Sequence, residues 1–237
     1  MIVAMLLAHL VGDYLLQWDA LANAKSKSMQ GVLAHGSIVL VVTLLFALAF
    51  DPGWWPWALF IGVIHTFIDA IPLKLVRHLP TQHGLFALAR LLIDQLAHFS
   101  VIGLALISSG YVTLPALIPS LISALHTQRG LAFALGYAFI AMPAWVLVEF
   151  AAYGLINGSA PDFSHAVKNK YIGTLERGLI ATLVILGQFT LVPLIALPRL
   201  VFDSPNIIGS QRAAVYMAEW LASLTLAILI GLGLSRL

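Results

Sequence analysis

Long apolar runs alternate with short polar interruptions along this chain of 237 residues. The runs fall near Met1–Gln17, Gly31–Phe50, Trp57–Leu75, Leu85–Ile107, Leu131–Ile156, Leu175–Val201 and Ala213–Leu234. Each is about long enough to span, or nearly span, a ~30 Å hydrocarbon core at ~1.5 Å per residue. The pattern predicts an all-α polytopic transmembrane helix bundle with about seven spans. A shorter stretch, Val112–Leu125, carries Pro115 and Pro119 and reads as an interfacial or half-spanning helix; a true span there would reverse the orientation of everything after it. No internal repeat or low-complexity tract stands out. The Pro- and Ser-containing stretch Ser108–Gln128 divides the chain into a site-bearing four-helix membrane unit, residues 1–108, and a supporting helix bundle, residues 109–237.

Composition supports the membrane reading. The chain is 61% hydrophobic and 9% charged, with a mean hydropathy of +0.98, whereas about a quarter of a soluble domain is charged. A formal charge of +2 and the absence of a basic patch argue against a nucleic-acid partner. Without Cys there is no disulfide framework and no thiolate ligand, so any metal must be held by nitrogen and oxygen. The N-terminal run lacks the basic region of a secretory signal and contains His9 and Asp13, so it reads as a retained membrane helix.

Lys and Arg set the expected orientation, because short cytoplasmic loops retain positive charge. Lys25, Lys27, Lys74, Arg77, Lys168, Lys170, Arg177 and Arg236 fall on one side of a seven-span model, and Arg129, Arg199 and Arg212 on the other. The N-terminus is therefore expected outside and the C-terminus in the cytoplasm. Trp54, Trp55 and Trp57 fit an outer interfacial belt and Trp18 an inner one. Glu176 and Arg177 read as helix-end anchors rather than as contacts to lipid phosphate.

The candidate chemistry lies inside the apolar runs. His9 with Asp13, His65 with Asp69, and Asp94 with His98 are each four residues apart, which on a helix places the two side chains on one face roughly 5–6 Å apart at Cβ. Ionisable groups at membrane depth are costly and usually functional. The order within the pairs reverses in the fourth run, whose chain direction also reverses, so all three Asp lie on the cytoplasmic side of all three His. At ~1.5 Å per residue from the inner boundaries, Asp13 and Asp69 lie roughly 7 Å deep, Asp94 and the three His roughly 13–20 Å, and His35 roughly 6 Å. One cavity facing the cytoplasm, assembled from four helices, is expected.

Charge narrows the occupant. Three ionised Asp in a low-dielectric cavity demand a compensating cation. His9, Asp13, His35, His65, Asp69, Asp94 and His98 are more than one tetrahedral ion needs, so the surplus forms either a second metal site or a shell in which Asp orients His. Imidazole with carboxylate suits Zn first, with Mn or Fe as alternatives to it. Arg90, four residues before Asp94, can pair with that carboxylate or reach an anionic substrate. A metal-free proton or ion pathway and a structural polar clamp are the competing readings. His78, His83, His126 and His165 read as solvated, and Glu149 and Glu219 have no obvious partner.

HLVGDYLLQ (His9 to Gln17), the HG at His35, HTFID (His65 to Asp69) and DQLAH (Asp94 to His98) resemble a bacterial membrane-protein family known as domain of unknown function three-three-zero-seven. IGTLER (Ile172 to Arg177) followed by LGQ (Leu186 to Gln188) is similar to that family's downstream signature. The resemblance implies a multi-pass protein of the bacterial inner membrane and carries no settled activity. The family's Lys about one helical turn after HxxID is replaced here by Pro72, with Lys74 later.

Two function classes follow. The first is a metal-dependent hydrolase acting on a phosphoester or lipid-linked substrate at the cytoplasmic leaflet, with Asp13 or Asp69 as general base where it is not a ligand. The second is a metal-ion or proton transporter using the same groups, with a non-catalytic membrane scaffold as a third possibility. A transporter needs polar groups reachable in turn from both faces, and here they gather toward the cytoplasm.

Overall fold

A computed structural model describes residues 1–75, 83–161, 163, 167–207 and 213–237, and among them every regular element is helical. Among the described residues, five stretches are long and apolar enough to cross a membrane: Met29–Phe50, Pro52–Leu73, Gly84–Ser108, Arg129–Asn157 and Ala213–Ser235. Three apolar helices are shorter: Ile2–Leu15, Leu114–Thr127 and Phe189–Val201. Two of the seven expected spans thus take another form. The first run forms α1 (Ile2–Leu10) and a single π-helical turn over Val11–Leu15, at ~1.5 Å per residue too short to cross a ~30 Å core unaided.

The sixth run, Leu175–Val201, is not one helix. It divides between α9 (Val167–Ile185) and α10 (Val192–Ile207). Gly187 takes φ 71°, the left-handed conformation that ends helices, and the Gln188 N–H bonds back to the Leu183 carbonyl at 2.8 Å. Pro193 then opens α10 from its first turn, where a missing N–H costs nothing. The Leu186–Gln188 motif is a helix break.

The chain forms two compact units. The first comprises Met1–Leu79 and Leu92–Ala138. In it α1 is buried on almost every side: Val3, Ala4, Met5, Leu7, Ala8 and Leu10 are all buried, as expected of a helix that is apolar all round. Ala4 and Met5 pack with Ala47 of α3 (Met29–Phe50), Ala58 and Ile61 of α4 (Trp55–Leu75), and Ile102, Ala105 and Leu106 of α5 (Gly84–Ser108). Trp54 belongs to this core with 3% exposure, so it is a packing residue and not part of an interfacial belt; Trp18 and Trp55 are exposed. On α3 the residues Leu33, Val41, Leu45 and Leu48 form an exposed apolar stripe, the surface a lipid-facing helix presents. The Pro-containing stretch forms a short 3-10 turn over Leu114–Ala116 and α6 (Leu117–Thr127).

Close approach of α3 to α4 depends on glycine. A Cβ at Gly36 would lie 2.1 Å from Thr66 Oγ1, and one at Gly62 would lie 2.9 Å from Leu40 Cα. Small residues let membrane helices touch backbone to backbone, and here they bring His35 and His65, the neighbours of Gly36 and Thr66, to the same level. Gly31 does the same for α2 (Asp19–Lys27): a Cβ there would strike the Ala24 carbonyl carbon at 2.1 Å. The chain reverses after Lys27 through Ser28, whose Oγ accepts the Gly31 N–H at 3.0 Å and caps α3.

The second unit comprises Pro80–Leu91 and Phe139–Leu237. Its core joins Ile180 and Val184 of α9, Val192 and Ala196 of α10, and Trp220 and Ala227 of α11 (Ala213–Ser235). Gly231 permits the α9–α11 contact, since a Cβ there would lie 2.8 Å from Val184 Cβ. The Arg129–Asn157 stretch breaks at Met142, between α7 (Arg129–Ala141) and α8 (Pro143–Ala152). Pro143 has no N–H to continue the ladder. The carbonyls at the end of α7 are met by Arg177, which donates from Nε to Ile140 O at 2.6 Å and from Nη2 to Ala141 O at 2.7 Å.

Candidate metal centre

Asp13, His35, His65 and Asp69 are buried and each offers one donor atom within 4.8 Å of the others. Each reaches this point by a different local device. Asp13 lies in the π turn that ends the first helix, where the Leu16 N–H bonds to Val11 O at 2.9 Å; single π turns recur at functional sites. Gly12 lets that turn lie against Val39 of α3, 3.1 Å from a Cβ built on it. His35 comes from α3, and His65 and Asp69 from adjacent turns of α4.

The donor spacings are regular. His35 Nε2 stands 3.0 Å from Asp13 Oδ1, 3.4 Å from Asp69 Oδ2 and 3.3 Å from His65 Nε2. His65 Nε2 stands 3.1 Å from Asp69 Oδ2 and 3.6 Å from Asp13 Oδ1. Bond lengths of about 2.0–2.1 Å to a tetrahedral ion require ligand-to-ligand edges of about 3.3 Å. These five edges scatter around that value, so the group could hold a metal ion. His35 Nδ1 is buried without a hydrogen-bond partner.

The remaining expected residues form a second layer. His9 Nε2 lies 3.8 Å from Asp13 Oδ2 and 3.2 Å from Gln95 Oε1. His98 Nε2 lies 3.8 Å from Asp69 Oδ1, while its Nδ1 lies 2.8 Å from the Asp94 carbonyl, the partner that fixes Nδ1 as the protonated nitrogen. Rings of His9 and His98 are stacked at 5.4 Å between centroids, and that of His65 lies 4.3 Å from His98. A water-sized void lies among His9, His65 and His98, lined also by Ile61, Val101 and Ile102. Asp94 is peripheral: its side chain is 29% exposed, and Oδ2 accepts from Gln95 Nε2 at 3.1 Å. Arg90 is exposed. His83 and His126 are exposed as expected, and His78 and His165 lie outside the described residues.

Two residues in the cluster escaped sequence reasoning. Lys25 on α2 places Nζ 2.9 Å from Asp69 Oδ2 and 3.5 Å from Asp13 Oδ1. Burial acts to lower its pKa, but the two carboxylates outweigh this and hold the ammonium above its ordinary value. Gln95 donates to Asp13 Oδ2 at 3.3 Å as well as to Asp94. Gln95 stood inside the DQLAH motif and could have been found there. Lys25 had no such signal, since no helical spacing joins it to Asp13 across the break between the π turn and α2.

A separate polar group occupies the second unit. Glu176 pairs with Arg199 at 3.1 Å, and Arg177 also donates to Ser223 Oγ at 3.2 Å. Glu176, Arg177 and Lys170 are all buried. Glu176 and Arg177 are therefore internal clamps and not helix-end anchors, and Lys170 and Arg177 are not free surface charges of the kind that orient a loop. Glu149 has a partner, accepting from Trp145 Nε1 at 3.1 Å.

Fold and site together define a class: a protein helical throughout its described residues, with five stretches there long and apolar enough to cross a membrane, and a buried His/Asp cluster in its first unit. Within that class the chain belongs to the family described as protein of unknown function (DUF3307), whose model matches residues 1–127. The match covers every member of the His/Asp cluster, together with Lys25 and Gln95. No curated protein and no solved structure matches the chain.

Proposed function

We propose that this protein is a metal-dependent hydrolase of the bacterial inner membrane, acting on a phosphoester or lipid-linked substrate at the cytoplasmic leaflet. The observation that carries the reading is the set of spacings among Asp13, His35, His65 and Asp69, which match the edges of a tetrahedral nitrogen and oxygen site. Zn fits that donor set first, ahead of Mn or Fe. A bound ion would supply Lewis acidity and a lowered pKa for water.

The chain's own groups supply the rest. Lys25 lies beside both carboxylates and presents a positive charge to an anionic group arriving from the side of α2, a role that sequence had suggested for Arg90. The His98 ring, held by its Nδ1 bond to the Asp94 carbonyl, is fixed in orientation beside the water-sized void. Asp13 and Asp69 act as ligands through the oxygens that face His35 and His65.

The second reading, metal-ion transport, is favoured by one feature: four protein donors complete a tetrahedral shell, whereas catalytic sites usually leave a position open. The two readings part in one experiment. Protein purified in mild detergent without chelator is expected to contain divalent metal and to hydrolyse an amphiphilic phosphoester, with both lost in Asp69→Asn. Metal-dependent ion flux into proteoliposomes, without hydrolysis, selects the transporter; protein that never binds divalent metal sinks both.

A further inference from the structure

The oxygens of the two central carboxylates are divided between two sets of histidines. Asp13 Oδ1 and Asp69 Oδ2 face His35, His65 and Lys25. The opposite oxygens, Asp13 Oδ2 and Asp69 Oδ1, face His9 and His98, each at 3.8 Å. Asp13 and Asp69 are thus both two-sided, with an imidazole Nε2 at each oxygen.

We propose that a second divalent cation binds between His9, His98, Asp13 Oδ2 and Asp69 Oδ1, so that both aspartates bridge two ions. The proposal rests on the metal-binding reading given above and extends it to a dinuclear centre. An independent feature points to a ligand at this place: His98 Nε2 is buried and has no hydrogen-bond partner, while its Nδ1 bond to the Asp94 carbonyl leaves Nε2 as a lone pair. A metal-binding His characteristically fixes its other ring nitrogen on a carbonyl or carboxylate in this way. Gln95 Oε1, which accepts from His9 Nε2 at 3.2 Å, becomes a neutral oxygen ligand once His9 gives up that proton in favour of the ion.

The second set is more open than the first. Its 3.8 Å gaps exceed the roughly 3.3 Å edge of a tetrahedral shell, so the side chains draw inward on binding and the second ion binds more weakly than the first. The adjoining void among His9, His65 and His98 gives the rings room to do so. A pair of ions bridged by carboxylates suits the hydrolytic role, because two-metal sites stabilise both the attacking and the leaving oxygen.

Detergent-purified protein, stripped of metal and reloaded with Mn(II) alone, tests this by elemental analysis and electron paramagnetic resonance. Two Mn per chain with an exchange-coupled signal is the expected result, and His98→Gln should retain one Mn per chain and lose the coupling. His9→Gln should behave alike, and serves should the His98 variant fail to fold. One uncoupled Mn per chain in the unaltered protein, insensitive to His98→Gln, overturns the second ion and leaves the first site standing. No bound Mn overturns both.

Discussion

The Lys25 ammonium stands 2.9 Å from Asp69 Oδ2, although the two residues lie in different helices and only 20% of the lysine side chain is exposed. With Asp13 Oδ1 at 3.5 Å, one internal cation faces two carboxylates. Part of the charge compensation demanded by the buried aspartates is therefore built into the chain, and a divalent ion would supply the remainder.

Lys25→Met keeps the length of the side chain and removes this charge. Breaking a buried ion pair costs about 3–5 kcal/mol, and partial exposure of Lys25 puts the expected loss near ~3 kcal/mol in metal-free protein. Added divalent metal should restore most of it, because the ion replaces the missing positive charge. Thermal unfolding in detergent with and without metal checks this; a loss of equal size in both conditions would show that Lys25 acts only through packing.

Gly36→Ala should separate α3 from α4. The new methyl would fall 2.1 Å from Thr66 Oγ1, and overpacking of this kind costs about 1–3 kcal/mol. Metal content should fall along with stability, since His35 and His65 lie beside the contact. Adding Thr66→Ala removes the closest clashing atom and should recover part of both. Equal metal content in Gly36→Ala and the unaltered protein would separate the helix contact from the site.

Arg177→Lys should destabilise the second unit without touching metal content. Lysine lacks the planar fork that reaches Ile140 O and Ala141 O together. A carbonyl left unsatisfied in a buried place costs about 1–3 kcal/mol, so a loss near ~2 kcal/mol is expected in thermal unfolding. Loss of metal in this variant would contradict the assignment of Arg177 to a structural clamp.

Membrane orientation is open to labelling because the chain contains no cysteine. Single cysteines introduced as Lys27→Cys and Gly53→Cys should behave oppositely toward an impermeant thiol reagent in intact cells. The Gly53 position is expected outside and labelled, the Lys27 position inside and protected. The reverse pattern would overturn the orientation and put the cluster near the opposite leaflet.

The apolar runs by themselves determined that the protein is helical and suited to a membrane, because a bilayer leaves no unpaired backbone polar group satisfied and only length and apolarity are needed to read a helix. They also picked out His9, Asp13, His35, His65, Asp69 and His98, since ionisable side chains stand out against so apolar a background. Tertiary structure decided what periodicity cannot express. The first run is a buried helix ending in a π turn, and the sixth is broken at Gly187, because continuity of hydrophobicity says nothing about backbone dihedral angles. Lys25 reaches Asp13 and Asp69 only because α2 folds back along α3 over Gly31, a contact between residues that no helical spacing relates. Arg177, read along the chain as a boundary charge, is held inside by the Ile140 and Ala141 carbonyls at the end of another helix.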